Sequence, residues 1–184
     1  MANINDFKAK LAGGGARANQ FKVTMPFPGY AQVGGEIEDL AFLCTTAQIP
    51  AMNVGLVNVP FRGRQIKIAG DRTFEDWEVT VINDEDFAVR NAMEIWSNSI
   101  NTHVTNLRDR DRLAPETYKA QAQVRQYSKT GDMIREYTFN GLFPTNVAQI
   151  DVAWETNNTV EEFAVTFSYD WWEVTNGTTG ISTS

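Results

Sequence analysis

One histidine, His103, and one cysteine, Cys44, are the only imidazole and thiol in this chain, which leaves little for a transition-metal site. A site with two imidazole ligands would therefore need a residue from another chain. His103 stands just beyond an expected helix and reads as a surface residue. The run Asp84-Glu85-Asp86 suggests Ca²⁺ or Mg²⁺. It lacks the central glycine and downstream glutamate of a calcium loop, and a helix start explains it more simply. Glu75 and Asp76 suggest the carboxylate pair of a glycosidase, but neighbours on a strand point to opposite faces. Gly13-Gly14-Gly15 has no Lys-Ser or Lys-Thr after it and no strand before it, as a phosphate loop requires. Trp171-Trp172 would stack on a sugar or a base; the reading here is one core and one interface residue. No enzyme, cofactor or metal site is expected.

The bulk properties narrow the class further. The length suits one domain with a real core. A net charge of −7 argues against a dedicated nucleic-acid binder, which needs a basic footprint. No apolar run approaches the roughly 20 residues that span a bilayer, and the start of the chain does not read as a secretory signal. A lone cysteine suits a reducing cytoplasm.

The elements that position these residues read as mostly β. Phe21, Val23 and Met25 mark a strand over 19–25, and 40–46 reads as a second. Gly70-Asp71 reads as a turn. Trp77, Val79 and Val81 alternate with Glu78, Thr80 and Ile82, as on a strand with one apolar face. Asn83 reads as the cap of a helix over 84–101, with its acidic first turn favoured by free N–H groups. Val89, Met93, Trp96 and Ile100 form its packing stripe, widened by Ala88, Ala92 and Ile95. Arg108 to Arg112 alternates in sign, as a solvated loop does. Residues 119–127 and 133–139 form a hairpin; 141–147 reads as a bend and 150–154 as a short strand. Residues 161–172 read as one long strand, with Phe163, Val165, Phe167, Tyr169 and Trp171 on its packed side. Together these give a β-sandwich or part-barrel with one flanking α-helix. Val54, Leu56, Val57, Val59 and Phe61 precede a tip at Arg62-Gly63-Arg64 in a hairpin or extended loop. It is either an ordinary core hairpin or an arm that buries apolar surface on a neighbour.

Several of these stretches resemble the tail tube protein of contractile-tailed bacteriophages. They are Gly70 to Trp77, Val79-Thr80-Val81, Asn83-Asp84-Glu85, Val124 to Tyr127, Gly141 to Val147 and Tyr169 to Glu173. The order and spacing are similar from about Asn19 to Glu173. Segment 26–39 is longer than in the family, and the tail after Glu173 departs from it. The resemblance implies a tube domain over 19–174, flanked by flexible segments 1–18 and 175–184. It implies six-fold rings in which each subunit adds strands to an inner β-barrel. The rings would stack into a hollow virion tube, assembled in the host cytoplasm. Partners would be other copies of the chain and the sheath, baseplate, tape-measure and terminator proteins. Double-stranded DNA would pass through without specific binding, and no membrane is involved.

On that reading Val54, Leu56, Val57, Val59, Phe61, Arg62 and Arg64 belong to a ring-stacking arm. Gln121, Gln123, Glu162 and Asp170 face the lumen, where a negative wall would let DNA slide. Two alternatives stand beside it: a tube subunit of a contractile injection or type VI-like secretion system, and a monomeric carbohydrate-binding β-sandwich.

Overall fold

A computed structural model of the chain describes residues 3–11, 14–32, 34, 40, 41 and 43–176. Its core forms where the apolar faces of alternating strands meet. The strands are β1 (Phe21–Thr24), β2 (Cys44–Ala47), β3 (Asn53–Phe61), β4 (Arg64–Thr73), β5 (Trp77–Ile82), β6 (Ala120–Tyr127), β7 (Met133–Val147), β8 (Glu162–Ser168) and β9 (Trp171–Asn176). The helices are α1 (Ile4–Lys10), α2 (Ala88–Ile100) and the single turn α3 (Pro115–Tyr118). Strands β1-β6-β7-β8-β5-β2 pair in that order, β9 also pairs with β7, and β3-β4 form a separate ribbon.

β7 is the spine of this arrangement. Its first part pairs with β6 and β9, and Phe143 to Val147 pair with β8. The expected bend at 141–147 is therefore strand, and Gly141 is the point where β7 changes partners. Gly141 has φ +70°, and a Cβ there would collide with the Asp170 carboxylate. Glycine alone meets both demands. The expected long strand over 161–172 breaks at the same level. β8 runs with β5, and after Asp170 the chain turns onto β7 as β9. Phe163, Val165 and Phe167 are buried as expected, whereas Trp171 is half exposed.

The two parts of the sheet face each other across an aromatic centre. Trp77 stacks on Phe139 with ring centroids 4.5 Å apart, and Tyr169 meets Phe139 edge-on at 5.0 Å. The Trp77 indole N–H donates to Gln48 O at 2.8 Å, so its polar edge is satisfied. Helix α2 completes the core with Val89, Ala92, Met93 and Trp96, all buried, while Ile100 is partly buried against it. Trp96 donates to Tyr118 O at 2.7 Å and packs on Phe27 and Phe167. Ile95 is exposed and lies off the stripe.

Other expectations are corrected. Helix α2 begins at Ala88, after Phe87 in a left-handed conformation, without a side-chain cap. Asn83 instead donates its side-chain N–H to Glu161, and Asp84 to Asp86 form a turn before the helix. Leu40, Ala41 and Leu43 are helical, so β2 starts only at Cys44. Gly70 lies inside β4, opposite an irregularity in β3 at Gly55, and makes no turn. Residues 150–154 are loop. Of the expected flexible segments, 177–184 and part of 1–18 lie outside the described residues. Helix α1 in the N-terminal segment buries no side chain.

Candidate functional site

Two surfaces break the usual rule of apolar inside and polar outside. The first is the β3–β4 ribbon. Its strands meet at a two-residue turn in which Arg62 (φ 44°) and Gly63 (φ 82°) are both left-handed. That turn matches the twist of paired strands, so the hairpin is locally encoded. The register places Val57, Val59 and Phe61 with Ile68, Ile66 and Arg64 on one face. The opposite face mixes Leu56, Asn58 and Pro60 with Ala69, Lys67 and Gln65. The apolar residues are therefore sorted onto one side more than the sequence suggested. Val54, Leu56, Val57, Val59, Phe61, Ile66 and Ile68 are all 40–65 % exposed. The Arg62 guanidinium lies over the Phe61 ring at 5.6 Å. The ribbon is held at its base, where Asn53 donates to Glu75 at 2.7 Å and Trp172 donates to Ala51 O at 3.2 Å. A lone hairpin with no third strand and no packing partner is marginal in water.

The second surface is the outward face of β1, β6, β7 and β9. It is polar, yet Glu136, Thr138 and Asn140 are buried within it. Their neighbours explain this. Gln121 donates to Asn140 at 2.7 Å, and Arg125 donates to both Glu136 and Gln123. Thr175 donates to Glu136 at 2.9 Å, Thr138 and Thr175 share a bond at 2.8 Å, and Asn140 donates to Glu173 at 3.2 Å. Lys119 grips both oxygens of Asp170 at 2.7 Å. The Arg125–Glu136 hydrogen bond raises the Arg125 pKa further, so this cation stays charged at any working pH.

The structure thus brings Gln121 and Gln123 together with Lys119, the partner of Asp170. Glu162 is not part of this face; it opens β8 opposite Ile82 on β5. The face is also balanced in charge. Lys22, Lys119 and Arg125 stand with Glu136, Asp170 and Glu173, where an acidic wall was expected. The sequence signal for the buried members was the alternation in β7, which hid them as wet-side residues.

Burial pushes the Cys44 thiol up to about 12, which suppresses the thiolate. Tyr30 and Tyr169 are likewise raised, first by burial. Among the described residues no group of three or more His, Cys, Asp or Glu side chains could hold a metal ion. Among them, too, no helix is long and apolar enough to cross a membrane.

Comparison with known proteins places this architecture. The family model described as phage tail tube protein matches residues 16–175. The chain is 36 % identical over 167 residues to the tail tube protein gp19 of Enterobacteria phage T4, covering 90 % of this chain and 96 % of that protein. A chain in the six-fold symmetrised cryo-EM structure of the anti-feeding prophage baseplate shares the fold. Its TM-score is 0.61 at 9 % identity, over 90 % of this chain and 98 % of that one. A chain of the extended PVC sheath–tube complex, an extracellular contractile injection system, does so at a TM-score of 0.57 and 12 % identity, over 95 % and 99 %. With the family model spanning most of its length and a third of its residues shared with the T4 protein, this chain belongs to the phage tail tube protein family, as a structural component of the virion tail.

Proposed function

We propose that six copies of this chain close into a ring, that the rings stack into a hollow tube, and that double-stranded DNA passes along it without specific binding. The observation that carries the reading is the β3–β4 arm, a full hairpin whose apolar face stays exposed among the described residues. Each exposed aliphatic or aromatic side chain on it would gain roughly 1–2 kcal/mol on burial, before the entropy of association is subtracted. We assign Val54, Leu56, Val57, Val59, Phe61, Arg62 and Arg64 to contacts between successive rings.

The place of β1 and β9 at the two ends of the pairing order β1-β6-β7-β9 supports closure of the ring. Both are ends of the polar sheet, and unpaired edges recruit strands unless something covers them. A barrel closed through neighbouring subunits removes them. The polar face, with Gln121, Gln123 and Asp170, then lines the lumen. Lys119 and Arg125 are already engaged by carboxylates, so the face offers phosphates few counterion-releasing contacts. Glu162 stands apart from this face. No catalysis is proposed. Sheath, baseplate, tape-measure and terminator proteins are the proposed partners around and at the ends of the tube.

The test is electron microscopy and sedimentation of the purified chain across a concentration series, with and without a matched baseplate. The chain forms rings or tubes. Deletion of Phe61 to Arg64 leaves a folded subunit that no longer polymerises. Tubes of normal length from the deletion variant would overturn the role of the arm.

A further inference from the structure

We infer that the β3–β4 arm of one copy docks in the acidic cleft between segments 83–87 and 149–162 of a second copy. The inference rests on the arm being an assembly element, and it names the surface that receives it. Charge is distributed very unevenly along the chain. Between Asn53 and Thr73 the arm carries Arg62, Arg64, Lys67 and Arg72 against a single acid, Asp71, in a chain whose net charge is −7. Everything outside the arm is correspondingly more acidic than the whole.

Five of the carboxylates outside the arm gather in one place. Two adjoining clefts of about 790 and 340 Å³ share Glu161. Asn83 ties their walls together, its backbone N–H donating to Glu161 O at 2.8 Å and its side chain to the Glu161 carboxylate at 3.0 Å. Asp84, Glu85, Asp151, Glu161 and Glu162 line the clefts, with no lysine or arginine among the lining residues. The same walls expose apolar side chains: Val152, Val160 and Phe87 are 78 %, 64 % and 42 % exposed. Exposed apolar side chains set among carboxylates complement an apolar ribbon tipped by Arg62 and Arg64, with Lys67 on its other face. Opposite potentials of this kind fix orientation and speed encounter.

Topology favours a second copy as the occupant. Arm and cleft are different surfaces, and every chain carries one of each. Such a contact is head-to-tail, so it propagates from copy to copy, into a closed ring or an open stack according to its rotation. At about 3.3 Å per residue, the nine residues of β3 reach roughly 30 Å, enough to cross a subunit boundary.

Charge reversal tests this. The triple change Arg62→Glu, Arg64→Glu, Lys67→Glu raises the concentration needed for polymerisation at least tenfold. Asp151→Lys, Glu161→Lys, Glu162→Lys does the same, and mixing the two variants restores hetero-polymers of alternating chains. If the arm variant fails to polymerise while the cleft variant assembles like the unmodified chain, the arm docks elsewhere and this inference falls, although the stacking role stands. If the arm variant polymerises normally, the stacking role falls too. Carbodiimide cross-linking of tubes of the unmodified chain gives an answer that does not depend on a variant folding. Lys67 becomes joined between subunits to carboxylates of the 83–87 and 149–162 segments. Cross-links from Lys67 only to other carboxylates overturn the docking.

Discussion

The chain contains two long antiparallel hairpins, and they invert each other. In β3–β4 the apolar side chains Val57, Val59, Phe61, Ile66 and Ile68 face solvent. In β6–β7 the polar side chains Glu136, Thr138 and Asn140 are buried. Both form from local turn chemistry, at Arg62-Gly63 in one and around Gly131 in the other. What separates them is the company each keeps. β6–β7 gains β1 on one side and β9 and β8 on the other, so neighbours satisfy its polar groups. β3–β4 gains no further strand among the described residues. A hairpin's pattern of side chains therefore points to its environment in the assembly, which for the arm is the proposed neighbouring subunit.

The comparison breaks most sharply on a pair of phenylalanines. Phe139 is fully buried against Trp77 and Tyr169, and Phe139→Ala should cost the subunit about 3–5 kcal/mol through lost contacts and the cavity left behind. Phe61→Ala, on the exposed face of the arm, should change subunit stability by no more than about 0.5 kcal/mol. It should nevertheless weaken polymerisation. Denaturant unfolding at a concentration too low for assembly, together with sedimentation at a higher one, measures both effects. A loss above about 2 kcal/mol from Phe61→Ala would mean that the arm folds onto its own subunit.

Next in size is the buried polar network. Arg125→Ala removes the guanidinium from Glu136, whose side chain is only 8 % exposed. A carboxylate stranded in that position should cost roughly 1–3 kcal/mol. Adding Glu136→Gln should recover part of the loss, because the neutral amide tolerates the lost partner better. A double change as damaging as the sum of the two single changes would show that the pair is not coupled.

These contrasts also explain how much the sequence could reveal. Strict alternation in β5, β6 and β8 made those strands and their buried faces readable. The four-three-four spacing of Val89, Met93, Trp96 and Ile100 did the same for helix α2. The break at Asp170 was hidden because alternation runs on through Tyr169 and Trp171 while the pairing shifts from β5 and the second part of β7 to the first part of β7. Gly141 looked like a bend for a related reason: glycine marks an irregularity, and only the partners decide whether the strand continues through it. The acidic cleft was invisible because its walls lie more than sixty residues apart in the chain. Asp84, Glu85 and Asp86 had also been assigned to a helix start that α2 does not use.

The smallest change in the subunit tests the second surface most finely. Asp170 is 44 % exposed and its partner Lys119 21 %, so Asp170→Asn should cost less than about 1 kcal/mol. In the proposed six-fold ring the same change uncovers six ammonium groups on the face assigned to the lumen, and stacking repeats them along the tube. A charge change too weak to register in the fold of one subunit then becomes a continuous row of phosphate contacts. Virions carrying Asp170→Asn should build tubes of normal length but release DNA more slowly at low salt, with the defect fading as salt rises. Release at the normal rate at every salt concentration would remove Asp170 from the lumen. A retarded release that ignores salt would point to a shape defect in the tube and leave the electrostatic account without support.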